Sequence, residues 1–209
     1  MLTPTKRIAY IGILTALCFV FTAFVSIPSL SGGHTNLSDA VIFIAAYALG
    51  PISALVVGGV GTFFADFFFY PTTMFISLII HGFEGFMLGF LFKAVRGKKH
   101  ELVFDCVCMV TAGLFMMLGF FIAKTFIYGN LETALISLYR NALQVLISVV
   151  MAIIVIPYLP KTKKEKNGDE EPVEDVVATE EGAPDESVTD ETAEADETAE
   201  DKDNKETEE

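Results

Sequence analysis

Six runs of apolar residues dominate the first 160 positions of this chain: Ile8 to Val25, Leu37 to Leu49, Pro51 to Phe69, Thr73 to Phe92, Leu102 to Ala123 and Ala134 to Tyr158. Most approach the ~20 residues that a helix needs to cross ~30 Å of hydrocarbon, and polar, Gly or Pro positions bound each one. A water-soluble domain has no use for so many, and in lipid only helices or closed barrels satisfy their own backbone. The second run is short. Fusing it with the third would give a helix of about 50 Å, and Gly50-Pro51 interrupts it, so a tight helical hairpin is expected there. The fold class that follows is all-α, a polytopic membrane bundle of six transmembrane helices.

Charge divides the chain and orients it. Residues 1–160 carry 8 Lys+Arg and 6 Asp+Glu, whereas residues 161–209 carry 6 and 21. The acidity therefore belongs to the tail, whose repeated pentad at Asp190 to Glu194 and Asp196 to Glu200 has too little apolar surface to offset the entropy of ordering. Two domains are expected: a membrane-embedded substrate-binding domain over 1–160, and a disordered cytoplasmic tail over 161–209 that starts basic and turns strongly acidic. With six spans, Lys6, Arg7, Lys93, Arg96, Lys98, Lys99, Lys161, Lys163, Lys164 and Lys166 fall on one side, leaving Lys124 on the other. Basic residues mark the cytoplasmic side, so both termini are placed there, in a multi-pass protein of the cell membrane. External loops are expected near Ile27 to Asn36, Tyr70 to Thr72 and Lys124 to Thr133.

The first run follows Lys6 and Arg7 like a signal peptide, but it lacks a small-residue cleavage site and reads as a retained helix. Cys18, Cys106 and Cys108 are odd in number and lie in apolar segments, so neither a disulfide nor a metal site is expected of them. There is no phosphate-binding Gly-x-x-x-x-Gly-Lys-Ser/Thr loop, no His-Glu-x-x-His and no Gly-x-Ser-x-Gly. No enzyme activity, cofactor or catalytic residue is expected, nucleic acid is not a partner, and any energy from ATP must come from other subunits.

Ionisable groups in a bilayer cost about 2.5–3.5 kcal/mol each at mid-helix and tend to face a cavity or a partner. Asp39, Asp66, His81, Glu84, Arg140, Asn141 and Gln144 are the candidates. His34, Asn36 and Asp39 belong to Gly-Gly-His-Thr-Asn-Leu-Ser-Asp, which is suited to folding over a ligand as a lid; alternatively Asn36 or Ser38 caps the second helix with Asp39 at its positive end. His81 and Glu84, at i and i+3, share a face and form either a structural hydrogen bond or part of a ligand site. Two further metal ligands at fixed spacing are missing, so no metal is expected. Asn141 and Gln144 offer amide donors and acceptors to a heterocycle, while Arg140 snorkels outward or pairs with Glu132. Tyr70 and Tyr139 are candidate stacking faces. Small residues mark close helix contacts: Gly58, Gly59, Gly61, Gly82, Gly85 and Gly89 inside the bundle, and Gly12 with Ala16 on a face of the first helix free to meet another subunit.

Gly33-His-Thr-Asn-Leu-Ser-Asp39, Leu49-Gly-Pro51, Val57-Gly-Gly-Val-Gly61, Ala65-Asp66, His81-Gly-Phe-Glu-Gly85 and Asn141-Ala-Leu-Gln144 occur in this order. In that arrangement, across residues 6–158, the chain resembles the S components of energy-coupling factor (ECF) transporters. The resemblance implies a substrate-binding subunit that captures a vitamin or precursor outside the cell, either riboflavin or a pyrimidine or pyridine such as hydroxymethylpyrimidine or pyridoxine. It implies a pocket in the external half of the bundle, closed by the first loop. It further implies that Gly12 and Ala16 pack on a transmembrane T component joined to two ATPase subunits, with delivery by toppling in the lipid bilayer. The competing expectation is a stand-alone secondary transporter or channel for a small solute, which would show paired repeats or broken helices; no repeat is evident.

Overall fold

The computed structural model describes residues 3–28, 34–129 and 131–159. The fold is helical: α1 (Pro4–Ala23), α2 (Ser38–Leu49), α3 (Pro51–Phe69), α4 (Met74–Val95), α5 (Glu101–Tyr128) and α6 (Leu131–Val155). A single 3-10 turn follows at Ile156–Tyr158, where Pro157 ends the α-helical pattern. Five of the helices are long and apolar enough to cross a membrane, α2 being the exception at 12 residues. Large apolar side chains such as Ile8, Phe24, Ile79, Val103, Leu146 and Tyr158 face outward, as a bundle solvated by lipid tails requires.

The hairpin expected at Gly50-Pro51 forms with Gly50 as the single residue between α2 and α3. Gly50 adopts φ +84 and ψ −175, a backbone state costly for any residue with a Cβ. Pro51, which has no N–H to satisfy, begins α3. Arg7 donates to the Leu49 carbonyl at 3.2 Å, and Arg96 donates to the Tyr47 carbonyl at 2.9 Å while lying over the Tyr47 ring. Cations thus gather at the carbonyl end of α2, where the helix dipole favours them.

α2 is the central element. It packs on α1, α3, α4 and α6, and Ser38 through Phe43, with Ala45 to Tyr47, are all buried. The core around it is built from Ile42, Phe43, Val57, Leu88, Phe92, Met109 and Met116. Close approach of α3 to α4 is made possible by glycine, as expected. A Cβ on Gly58 would stand 2.6 Å from the His81 carbonyl oxygen, and one on Gly89 would stand 2.5 Å from the Pro51 Cα. Gly61 serves the α1 contact, facing Cys18 and the Thr15 carbonyl.

Three expectations are corrected. The first loop contains a short antiparallel ribbon, β1 (Ser26–Pro28) paired with β2 (His34–Asn36), so part of that connection satisfies its own backbone groups. The third loop, expected over Lys124 to Thr133, is mostly helix: α5 runs on to Tyr128 and is closed by Gly129 in a left-handed conformation. Lys124 does not break α5, because its ammonium donates to Ser137 Oγ on α6 at 2.8 Å and lies over the Phe120 ring. At the other end, α1 begins before Lys6 and Arg7, with Pro4 at its first position and the Arg7 side chain bonded to α2 and α3. The tail expectation over 161–209 and the Gly32-Gly33 hinge of the lid lie outside the described residues.

The α3–α4 turn is tied by Asp66, whose Oδ2 accepts from Thr73 Oγ1 at 2.8 Å and Ser77 Oγ at 2.5 Å. Ser77→Ala removes a hydrogen bond to a buried carboxylate, costing about 2 kcal/mol. A thermal melt in detergent should fall by roughly 4–8 °C, and an unchanged melt would show that Thr73 alone suffices.

Candidate functional site

A buried polar cluster forms where α2, α4, α6 and β2 meet, and it is assembled mainly from groups the sequence had singled out. α2 contributes Asp39, α4 contributes His81 and Glu84, and α6 contributes Gln144. Asp39 and Glu84 are fully buried, His81 and Gln144 almost so. His81 Nδ1 lies 3.0 Å from Glu84 Oε2 and 3.5 Å from Asp39 Oδ1. Gln144 Nε2 donates to Asp39 Oδ1 at 2.9 Å, and Gln144 Oε1 accepts the Asn36 backbone N–H at 3.1 Å. One glutamine on α6 thereby links the ribbon to the acid on α2, which fixes the inner end of the first loop against the site.

The cluster leaves bonding capacity unused. Among the described residues, Asp39 Oδ2, Glu84 Oε1 and Asn141 Nδ2 are buried with no hydrogen-bond partner. Asn141 sits one turn before Gln144 on α6, on the same face. Buried polar atoms are nearly always satisfied, and those that are not point to a ligand, a water or an ion. This region therefore offers two carboxylate acceptors and one amide donor, in surroundings where an unmet hydrogen bond is expensive. The His81 ring also stands against Phe120, centroid to centroid 5.2 Å.

The remaining expected residues fall elsewhere. Asn36 is buried, and its Oδ1 accepts the Ser38 N–H at 2.9 Å just ahead of α2, although Leu37 holds the N-cap position with no side-chain cap bond. Asp66 is engaged by the α3–α4 turn. Tyr70 closes α3, its N–H donating to the Asp66 carbonyl. Tyr139 is 68 % exposed, so its ring faces away from the bundle and is corrected as a stacking candidate: position 139 lies on the outer face of α6, next to the inward-facing Arg140 and Asn141. Arg140 is buried and does not snorkel outward. The His34 side chain lies outside the described residues. Phe120 was missed among 19 phenylalanines, since nothing in its neighbours marks it as facing His81.

A second candidate surface lies on the outside of α1. Only Cys18 and Thr22 of this helix are buried. Gly12, Thr15, Ala16 and Phe19 line an open apolar groove with Gly61 and Phe64 of α3. A Cβ on Gly12 would meet nothing within 4 Å, so this glycine serves no contact among the described residues.

A family model described as ECF-type riboflavin transporter, S component, matches residues 3–161. The thiamine precursor transporter HmpT of Lactococcus lactis subsp. cremoris (strain MG1363) is 30 % identical over 160 residues, covering 75 % of this chain and 89 % of that protein. An uncharacterized protein of Pyrococcus woesei is 29 % identical over 133 residues, covering 63 % and 86 %. A UPF0397 protein of Aster yellows witches'-broom phytoplasma is 27 % identical over 160 residues, covering 72 % and 83 %.

Proposed function

Because the chain belongs to the ECF-type S-component family, and is thus a transport protein and not an enzyme, we propose that it captures an aminopyrimidine precursor of thiamine and hands it to a T component for ATP-driven import. The observation that carries the choice of ligand is a set of unpartnered buried groups: a carboxylate oxygen on each of Asp39 and Glu84, and the amide donor of Asn141 on the face of α6 that carries Gln144. Two acceptors and one donor complement a ring edge with an amino group and a ring nitrogen. The dioxopyrimidine edge of riboflavin presents the reverse, one donor between two acceptors, and would leave the carboxylates facing carbonyl oxygens. The relative named a thiamine precursor transporter supports the same choice; the family, named for riboflavin, favours the other.

In this reading the protein crosses the membrane six times, α2 included, with 1–160 as the binding domain and 161–209 as a cytoplasmic tail. Both termini are cytoplasmic. The gathering of Arg7 and Arg96 around the end of α2 supports that orientation, since basic residues favour the inner face. The ribbon then lies on the external side. The T component, with its two ATPase subunits, docks on the groove at Gly12 and Ala16.

Hydroxymethylpyrimidine and riboflavin, each titrated into the detergent-purified chain, provide the test, because a ligand that binds the folded state must raise its melting temperature. Saturable stabilisation by the aminopyrimidine alone is expected. Asn141→Ala removes one hydrogen bond, about 1 kcal/mol, and should weaken binding roughly fivefold. Stabilisation by riboflavin alone would overturn the assignment. Gly12→Leu separates capture from coupling: it should leave ligand affinity unchanged within twofold, yet abolish energised uptake in cells that express the T and ATPase subunits. Normal uptake by that variant would remove the α1 groove as the docking face.

A further inference from the structure

We propose that Asp39, His81 and Glu84 bind one divalent transition-metal cation, which offers its open coordination position to a ring nitrogen of the captured heterocycle. The metal site stands on the geometry below; its use as an anchor for the heterocycle rests on the capture function proposed above. The i, i+3 pair on α4 supplied only two ligands. The fold adds a third from α2, so that one donor atom from each of the three residues lies within 4.8 Å of the others. His81 Nδ1 is 3.0 Å from Glu84 Oε2 and 3.5 Å from Asp39 Oδ1. Ligands about 2.1 Å from a shared ion stand roughly 3.0 Å apart at right angles and 3.4 Å apart in a tetrahedron, close to those two separations.

Charge argues the same way. Among the described residues, His81 is the ion-pair partner of both carboxylates, and a second oxygen on each carboxylate has no hydrogen-bond partner. Two ionised acids around a neutral imidazole would leave an uncompensated double negative charge in the core of a membrane bundle, where it is most costly; protons on the acids or a dication between them cancel it, and the dication also uses the ligand geometry above. Gln144 Nε2 and Ser38 Oγ both donate to Asp39 Oδ1, the kind of outer support that orients a metal-binding carboxylate. One nitrogen and two carboxylate oxygens suit zinc, cobalt, nickel or manganese; magnesium and calcium prefer six or more oxygens.

The test uses the full-length, tag-free chain in detergent, stripped with a chelator and titrated with each metal alone. Melting temperature, retained metal after desalting and the visible spectrum of the cobalt form are read out. One of the four ions should bind at a 1:1 ratio with saturable stabilisation, and cobalt should give a low-symmetry spectrum. Glu84→Gln and Asp39→Asn, which keep side-chain shape, should each weaken binding at least tenfold; having two variants guards against misfolding of either. Retained metal that both folded variants keep would belong to the acidic tail and overturn the site. A folded wild-type chain that neither retains nor responds to any of the four ions would also overturn it, and His81 would then bridge the carboxylates by hydrogen bonds alone. If hydroxymethylpyrimidine binds equally well with chelator present, the anchoring role falls while capture stands. If metal binds but no vitamin does, capture falls while the metal site stands.

Discussion

Glu84→Gln lowers the affinity of the chain for an aminopyrimidine by about 10- to 150-fold. Glu84 is fully buried on α4, held through Oε2 by His81, with Oε1 unpartnered among the described residues. A carboxylate can only accept, so the open Oε1 suits an N–H group of the ligand. The amide of glutamine has nearly the same shape but replaces one acceptor with a donor, so either His81 or the ligand then faces an NH2 group. A hydrogen bond to a charged group is worth about 1.5–3 kcal/mol, which corresponds to a factor of roughly 10 to 150 in affinity. Isothermal titration of the metal-loaded and metal-free chain would measure it. Tyr139→Phe is the matched control, since that ring faces outward, and it should bind like the parent. A Glu84→Gln chain that melts normally and binds hydroxymethylpyrimidine with parental affinity would exclude this carboxylate from the ligand site.

Helix number and order were legible in the chain because lipid imposes them: apolar runs of fixed length, interrupted by Gly-Pro or polar residues, have few other uses. The Gly50-Pro51 hairpin and the glycine contacts between α3 and α4 followed from local chemistry. Helix ends were less legible. Lys124 looked like the edge of a loop, but a buried serine on α6 and a phenylalanine ring accommodate it within α5, and neither partner is near it in sequence. The site divides in the same manner. Asp39, His81, Glu84 and Gln144 stood out because polar residues in apolar helices are expensive. Their convergence did not, because it depends on α2 lying between α4 and α6. Tyr139 failed for a reason of phase: one residue along a helix turns the side chain by 100°, and its neighbours Arg140 and Asn141 took the inner face. The groove on α1 was visible as small residues at i and i+4, but only the fold adds Thr15, Phe19 and Phe64 to it.

The glycines of α3 and α4 connect this packing to the site, and Gly85→Leu is expected to damage both. A Cβ at position 85 would stand 2.6 Å from the Ala54 carbonyl oxygen and 3.0 Å from Ile42 Cγ2. The first neighbour is backbone in the first turn of α3, which cannot swing aside as a side chain can, so the leucine must push α4 away from α3. Overpacking of a well-filled core typically costs 1–3 kcal/mol. Backbone contact puts this variant near ~3 kcal/mol, and for a chain of this size the melting temperature should drop by about 6–12 °C. Glu84 is the adjacent residue and Ile42 belongs to the same helix as Asp39, so the separations between His81, Glu84 and Asp39 should loosen together and ligand affinity should fall even where the protein still folds. Gly12→Leu supplies the contrast. It adds the same side chain where nothing lies within 4 Å, and its melt should stay within about 2 °C of the parent, as surface substitutions usually do. Equal melts for the two variants would mean that α3 and α4 can separate without cost, and that the polar cluster between α2 and α4 is not held rigid by their packing.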